Sequence, residues 1–131
     1  MKNAFDLLVE GLAKDYNMPP LPDKKHIDEV YCFEFQSGMN VKLYQDEFRW
    51  VYFTADVGTF QDSSIDTLNY ALQLNNFSLR KPFLTFGMTK EKNGVLHTRT
   101  PLIEVDNVQM RRTFEELIGV AGEIRKTLKL K

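Results

Sequence analysis

The chain has 131 residues, 43% hydrophobic and 12% aromatic, with ten Phe, one Cys and a formal charge of −1. That length suffices for one domain, residues 1–131, with a core of its own, and the near-neutral charge excludes a basic nucleic-acid footprint. The lone Cys32 excludes an internal disulfide, no run approaches the ~20 apolar residues of a membrane span, and Asp6 falls where a signal peptide would be apolar; a soluble, cytoplasmic protein is expected.

Residues 3–16 read as an amphipathic helix, with Phe5, Leu8, Val9, Leu12 and Tyr16 at helical spacing. Asn3 can cap it, and the Pro19-Pro20-Leu21-Pro22 stretch stops it. Ala4, Leu7 and Gly11 widen its apolar stripe beyond what one core contact needs. Three strands follow. In 30–35, Tyr31, Phe33 and Phe35 alternate with Val30, Cys32 and Glu34; after a Ser37-Gly38 turn, Met39, Val41 and Leu43 alternate with polar residues. The third strand, 48–57, is apolar on both faces: Phe48, Trp50 and Tyr52 point one way, Val51, Phe53, Ala55 and Val57 the other. A strand buried on one face only should alternate apolar with polar, so this sheet carries more apolar surface than its few helices can cover. Surface of that kind marks an interaction site.

Gly58 is expected to end that strand, and a second helix starts with Ser63 and Asp66 placed as a capping box. Its stripe, Ile65, Leu68 and Leu72, is narrow, and the helix stops near Asn75-Asn76. Strands at 83–88 and 95–100 flank Asn93-Gly94, a type I′ hairpin signal. The last helix opens at Asp106, with Gln109 as its box partner, and carries a core stripe of Met110, Phe114, Leu117, Ile118, Ala121, Ile124 and Leu128. The order is helix, three strands, helix, two strands, helix: an α+β fold in which helices pack a twisted antiparallel sheet.

Catalytic apparatus is not visible. Two histidines, His26 and His97, cannot supply a His-rich metal site, and Cys32 reads as a strand residue rather than a nucleophile. Asp56 closes the third strand, where Asp commonly serves a turn. No phosphate loop, nucleophile elbow or paired-His helix occurs.

In element order and local segments the chain resembles the class I chaperones of bacterial type III secretion, the CesT/SycE-like family. The resemblance runs from Phe5 to Leu128. It rests on the opening helix Phe5-Asp6-Leu7-Leu8-Val9-Glu10-Gly11-Leu12, on Cys32 in the first strand and on the Asp56-Val57-Gly58-Thr59-Phe60 turn. It also rests on Leu68-Asn69-Tyr70-Ala71-Leu72-Gln73-Leu74-Asn75-Asn76 and on the Pro101-Leu102 step. The resemblance implies a cytoplasmic homodimer that holds the amino-terminal segment of a virulence effector, extended and secretion-competent, without cofactor, nucleic acid or membrane. It places effector binding at Ala4, Leu7, Gly11, Tyr31, Phe33, Phe35, Val41 and Leu43. It places the dimer contact at Ile65, Leu68, Asn69, Leu72, Phe86 and Met88. Two other readings of the residues stay open. One is a small-molecule-binding α+β domain with an enclosed apolar pocket lined by Trp50, Tyr52, Phe83 and Phe86; the other is an enzyme using Asp56, His97 or Cys32.

Overall fold

In the computed structural model, residues 3–18, 30–35, 38–60, 64–76 and 82–128 are described; His26, Ser37 and Ser63 lie outside them. The first helix, α1 (Ala4–Asp15), starts where a capping box forms. Asn3 accepts from the Asp6 N–H and the Asp6 carboxylate accepts from the Asn3 N–H, both at 2.9 Å. Asp6 is buried and its other oxygen accepts from the Tyr31 hydroxyl at 2.9 Å, which ties the helix start to the first strand. Asn17, at φ 54°, turns the chain out of the helix.

Five strands form one antiparallel sheet: β1 (Tyr31–Glu34), β2 (Asn40–Gln45), β3 (Trp50–Thr59), β4 (Thr85–Met88) and β5 (Asn93–Pro101), in spatial order β1-β2-β3-β5-β4. The second helix is α2 (Ile65–Gln73) and the last is α3 (Asn107–Leu128), joined to β5 by a short 3₁₀ turn at Leu102–Glu104. The α+β order read from the sequence therefore stands. α1 and α3 cover one sheet face. Phe33 and Phe114 meet there with ring centroids 5.2 Å apart, Tyr16 joins Phe114 at 5.1 Å and Phe5 joins Tyr31 at 5.9 Å. Each such pair contributes about 0.5–1.5 kcal/mol beyond the area it buries. Met110, Leu117, Ala121 and Ile124 complete the α3 side of the core, and Asp106 accepts from the Gln109 N–H at 2.8 Å to cap it.

Four local readings change. The long strand begins at Trp50 rather than Phe48, because Asp46 accepts from the Phe48 and Trp50 N–H groups at 2.9 Å and holds a turn with Arg49 at φ 64°; Phe48 is left 75% exposed. Gly58 does not end β3. At φ 116° it carries a bulge after Asp56, and pairing resumes as Gly58↔Gly94. The cap of α2 is Ser64, which accepts from the Thr67 N–H. Asn93-Gly94 lies inside β5 rather than at a turn. The hairpin closes at Thr89 and Lys92 instead, with Lys92 at φ 67°.

Packing explains why residue 94 is glycine. A Cβ there would stand 2.8 Å from Phe86 Cζ and Val57 Cγ2 and 2.9 Å from Phe60 Cε1. Gly94→Ala is expected to destabilise the fold by about 1–3 kcal/mol, as overpacking does. Thermal unfolding followed by circular dichroism checks this: a Tm lower by roughly 5–10 °C is expected, and an unchanged Tm would refute it.

Candidate functional site

The sheet has two edges, and antiparallel alternation tells which main-chain groups each presents. The Phe35 N–H donates to Met39 O, and the register runs Phe33↔Val41, Tyr31↔Leu43. Odd-numbered residues of β1 therefore bond across to β2, and the N–H and C=O groups of Cys32 and Glu34 point outward from the edge. No described residue lies beside them in the sheet, since β1 is terminal in the strand order. Unpaired edge groups are a template for another extended chain. α1, whose start is bonded to β1 through Asp6 and Tyr31, exposes Ala4 and Leu7, the latter 57% accessible, and Val30 before β1 is also exposed.

Of the eight residues expected at the effector surface, Ala4 and Leu7 are exposed, and Gly11 and Phe35 are partly so. Gly11 faces the start of α3, where an added Cβ would stand 3.1 Å from Asn107 Oδ1. The other four are corrected. Tyr31, Phe33, Val41 and Leu43 point to the helix-covered face and are buried in the core. The apolar alternation marked the inward side of β1 and β2, and the polar partners Cys32 and Glu34 mark the outward one. Cys32 and Glu34 are not among the expected site residues, because backbone groups leave no signature in residue type; the alternation in 30–35 together with a terminal strand position is what reveals them.

The second surface is α2. None of its residues is buried. Ile65, Leu68 and Leu72 are 75%, 43% and 72% exposed, and Asn69 and Met88 are exposed as well. At 100° per residue these three side chains share one side of the helix, while Leu74, just past its end, falls opposite and packs on the core. Phe86, expected at the dimer contact, is instead a core residue, 6% exposed with its ring centroid 5.8 Å from that of Phe60.

The sheet face away from α1 and α3 carries Trp50 and Tyr52, both half-buried, and resolves the two-sided apolar strand. Among the described residues no helix covers them. Tyr44 and Tyr52 stack with centroids 4.8 Å apart, and the Arg99 guanidinium sits 5.0 Å over the Trp50 ring. The Tyr52 hydroxyl donates to Asp46 at 2.7 Å. That bond is the main reason the Asp46 carboxyl is held below the usual carboxylate range, helped by the Trp50 N–H, and it pushes the Tyr52 phenol up.

A cleft of about 560 Å³ lies at the end of β5, where Trp50 and Phe83 face Thr98, Arg99 and Val105. The pocket expected from the sequence combined Trp50 and Phe83 with Tyr52 and Phe86. Tyr52 does not line this cleft and Phe86 is packed into the core, so the four do not enclose a cavity. Cys32, Asp56 and His97 are each exposed on the sheet and do not form a cluster: Asp56 accepts from the Gly58 N–H at 3.0 Å, serving the bulge. Among the described residues no three His, Cys, Asp or Glu side chains converge as metal ligands, and no helix is long and apolar enough to cross a membrane.

The chain is similar in structure to several solved complexes. Against the Yersinia pestis type III secretion chaperone SycH in complex with a stable fragment of YscM2, the TM-score is 0.72 at 14% identity, covering 92% of this chain and 99% of the other. Against the ExoT–SpcS complex from Pseudomonas aeruginosa it is 0.72 at 19% identity, with 95% and 100% covered. Against the HopA1–SchA chaperone–effector complex it is 0.70 at 14% identity, with 93% of each covered. At these identities the likeness establishes the fold. No curated protein matches the chain by sequence. The sequence pattern of the Tir chaperone protein (CesT) family matches residues 7–125, and the chain belongs to that family.

Proposed function

We propose that this chain is a cytoplasmic homodimeric chaperone that holds the amino-terminal segment of a type III secretion effector in extended form, binding it rather than acting on it chemically. Membership of a chaperone family and a fold shared with chaperone–effector complexes support the effector-binding role. One observation carries the finer reading. The β1 edge presents the Cys32 and Glu34 main chain outward, and α1, whose start is tied to β1 by the Tyr31–Asp6 bond, exposes Ala4 and Leu7. An extended segment that adds a strand there gains main-chain hydrogen bonds from the edge and seats alternate apolar side chains against the helix. Such a segment needs no fold of its own, and many modest contacts supply its affinity. The exposed stripe of α2 supports the homodimer, since a two-fold contact buries the same patch on both copies.

Co-expression with the product of the neighbouring gene, followed by light scattering and limited proteolysis, tests this reading. The expected result is a dimer of about twice the 15.3 kDa chain mass that retains the neighbour and protects its amino-terminal segment from protease. A monomer that leaves the neighbour unprotected would count against it.

A further inference from the structure

α2 is held to the sheet in an unusual way. With none of its own residues buried, it meets the core through partly buried Tyr70 and Ala71 and through Leu74 after its end. The residue that follows, Asn75, adds a hydrogen-bonded attachment. Its Nδ2 donates to Phe86 O at 2.8 Å, and its Oδ1 accepts from the Phe86 N–H at 2.6 Å. Both bonds go to the main chain of one residue of β4, the terminal strand of the sheet. A side-chain amide carries one acceptor and one donor group in the same spacing as a peptide unit. Asn75 therefore stands in for a residue of a neighbouring strand and fills the outward rung of the edge at Phe86. Phe86 is itself fixed, since its ring is 6% exposed and packs on Phe60.

We infer that Asn75 is a positioning residue for the second-copy surface: the paired bonds to Phe86 reference the direction of α2 to the core, so that Ile65, Leu68 and Leu72 are presented at a fixed angle. The inference rests on the homodimer reading above and adds a residue that makes no contact through that stripe. A two-fold interface is sensitive to such an angle because any tilt of α2 is repeated in the partner. Asp at position 75 would keep the acceptor for the Phe86 N–H and lose the donor to its carbonyl. Ala would lose both.

The test measures the dimer dissociation constant by sedimentation, together with amide hydrogen exchange at Phe86, for the wild-type chain, Asn75→Ala, Asn75→Asp and Leu68→Asp. Expected are a dimer weakened at least about tenfold in Asn75→Ala, a smaller loss in Asn75→Asp, and faster exchange at Phe86 in the alanine variant. If Asn75→Ala is too unstable to purify, Asn75→Asp alone carries the comparison. A lowered Tm with an unchanged dimer constant would mean that the tether only stabilises the chain, and it overturns the inference. Unchanged exchange at Phe86 overturns it too. Leu68→Asp separates the two levels. If that variant stays dimeric, the homodimer surface itself is misplaced; if it is monomeric while Asn75→Ala dimerises as wild type, only the positioning role fails.

Discussion

Leu68→Asp is expected to leave the protein folded and monomeric. Leu68 is 43% exposed on a helix with no buried residue, so the substitution removes little from the core of the single chain. In a two-fold contact the new carboxylate enters twice and is left without a partner against Ile65 and Leu72. An uncompensated charge in an apolar contact costs about 3 kcal/mol or more, so two copies weaken the dimer by roughly 10⁴-fold. Light scattering at micromolar concentration reads the result directly: a mass near 15.3 kDa is expected in place of twice that value. Leu72→Asp, at a position 72% exposed, is expected to behave the same way and guards against a local folding defect in the first variant. A stable dimer in both would place the interface away from α2.

The second large effect belongs to the β1 edge. Cys32→Pro is expected to weaken effector binding by about tenfold or more while shifting Tm by only a few degrees. The Cys32 N–H points out of the sheet, so its loss breaks no bond to β2. Proline is tolerated on edge strands where the missing N–H faces solvent, and the Cys32 side chain is exposed, so little packing is lost. The ring removes the one donor at that position and places a methylene where a partner strand would approach. Cys32→Ala is the control. It keeps the N–H and is expected to bind as wild type. Equal binding by the alanine and proline variants, measured by calorimetry, would exclude strand pairing at this residue.

Much of the fold was legible in the residues because apolar periodicity reports which side of an element is buried. The stripes of α1 and α3 and the order of elements follow from it, and the Asn3 and Asp106 caps follow from residues whose side chains accept from the first helical N–H groups. The site was less legible. The resemblance places Tyr31, Phe33, Val41 and Leu43 at the effector surface, whereas large apolar side chains in alternation are first of all core residues, and these four are buried. Asn93-Gly94 reads as a turn because Asn-Gly favours positive φ, whereas in the fold the glycine admits three side chains at close range. Trp50 and Tyr52 implied a missing cover, and the sheet supplies it by ring stacking and by Arg99. Asn75 left no periodic signal, because its partner Phe86 is eleven residues away and bonds through its main chain.

The most direct measurement is residue-resolved amide hydrogen exchange on the chain with and without the amino-terminal segment of its co-expressed partner. Strand addition at β1 predicts that exchange at Cys32 and Glu34 slows at least tenfold on binding, while Phe86, already bonded to Asn75, changes little. Unchanged exchange at Cys32 and Glu34, with slowing confined to the cleft between Trp50 and Phe83, would contradict the proposed mode of binding.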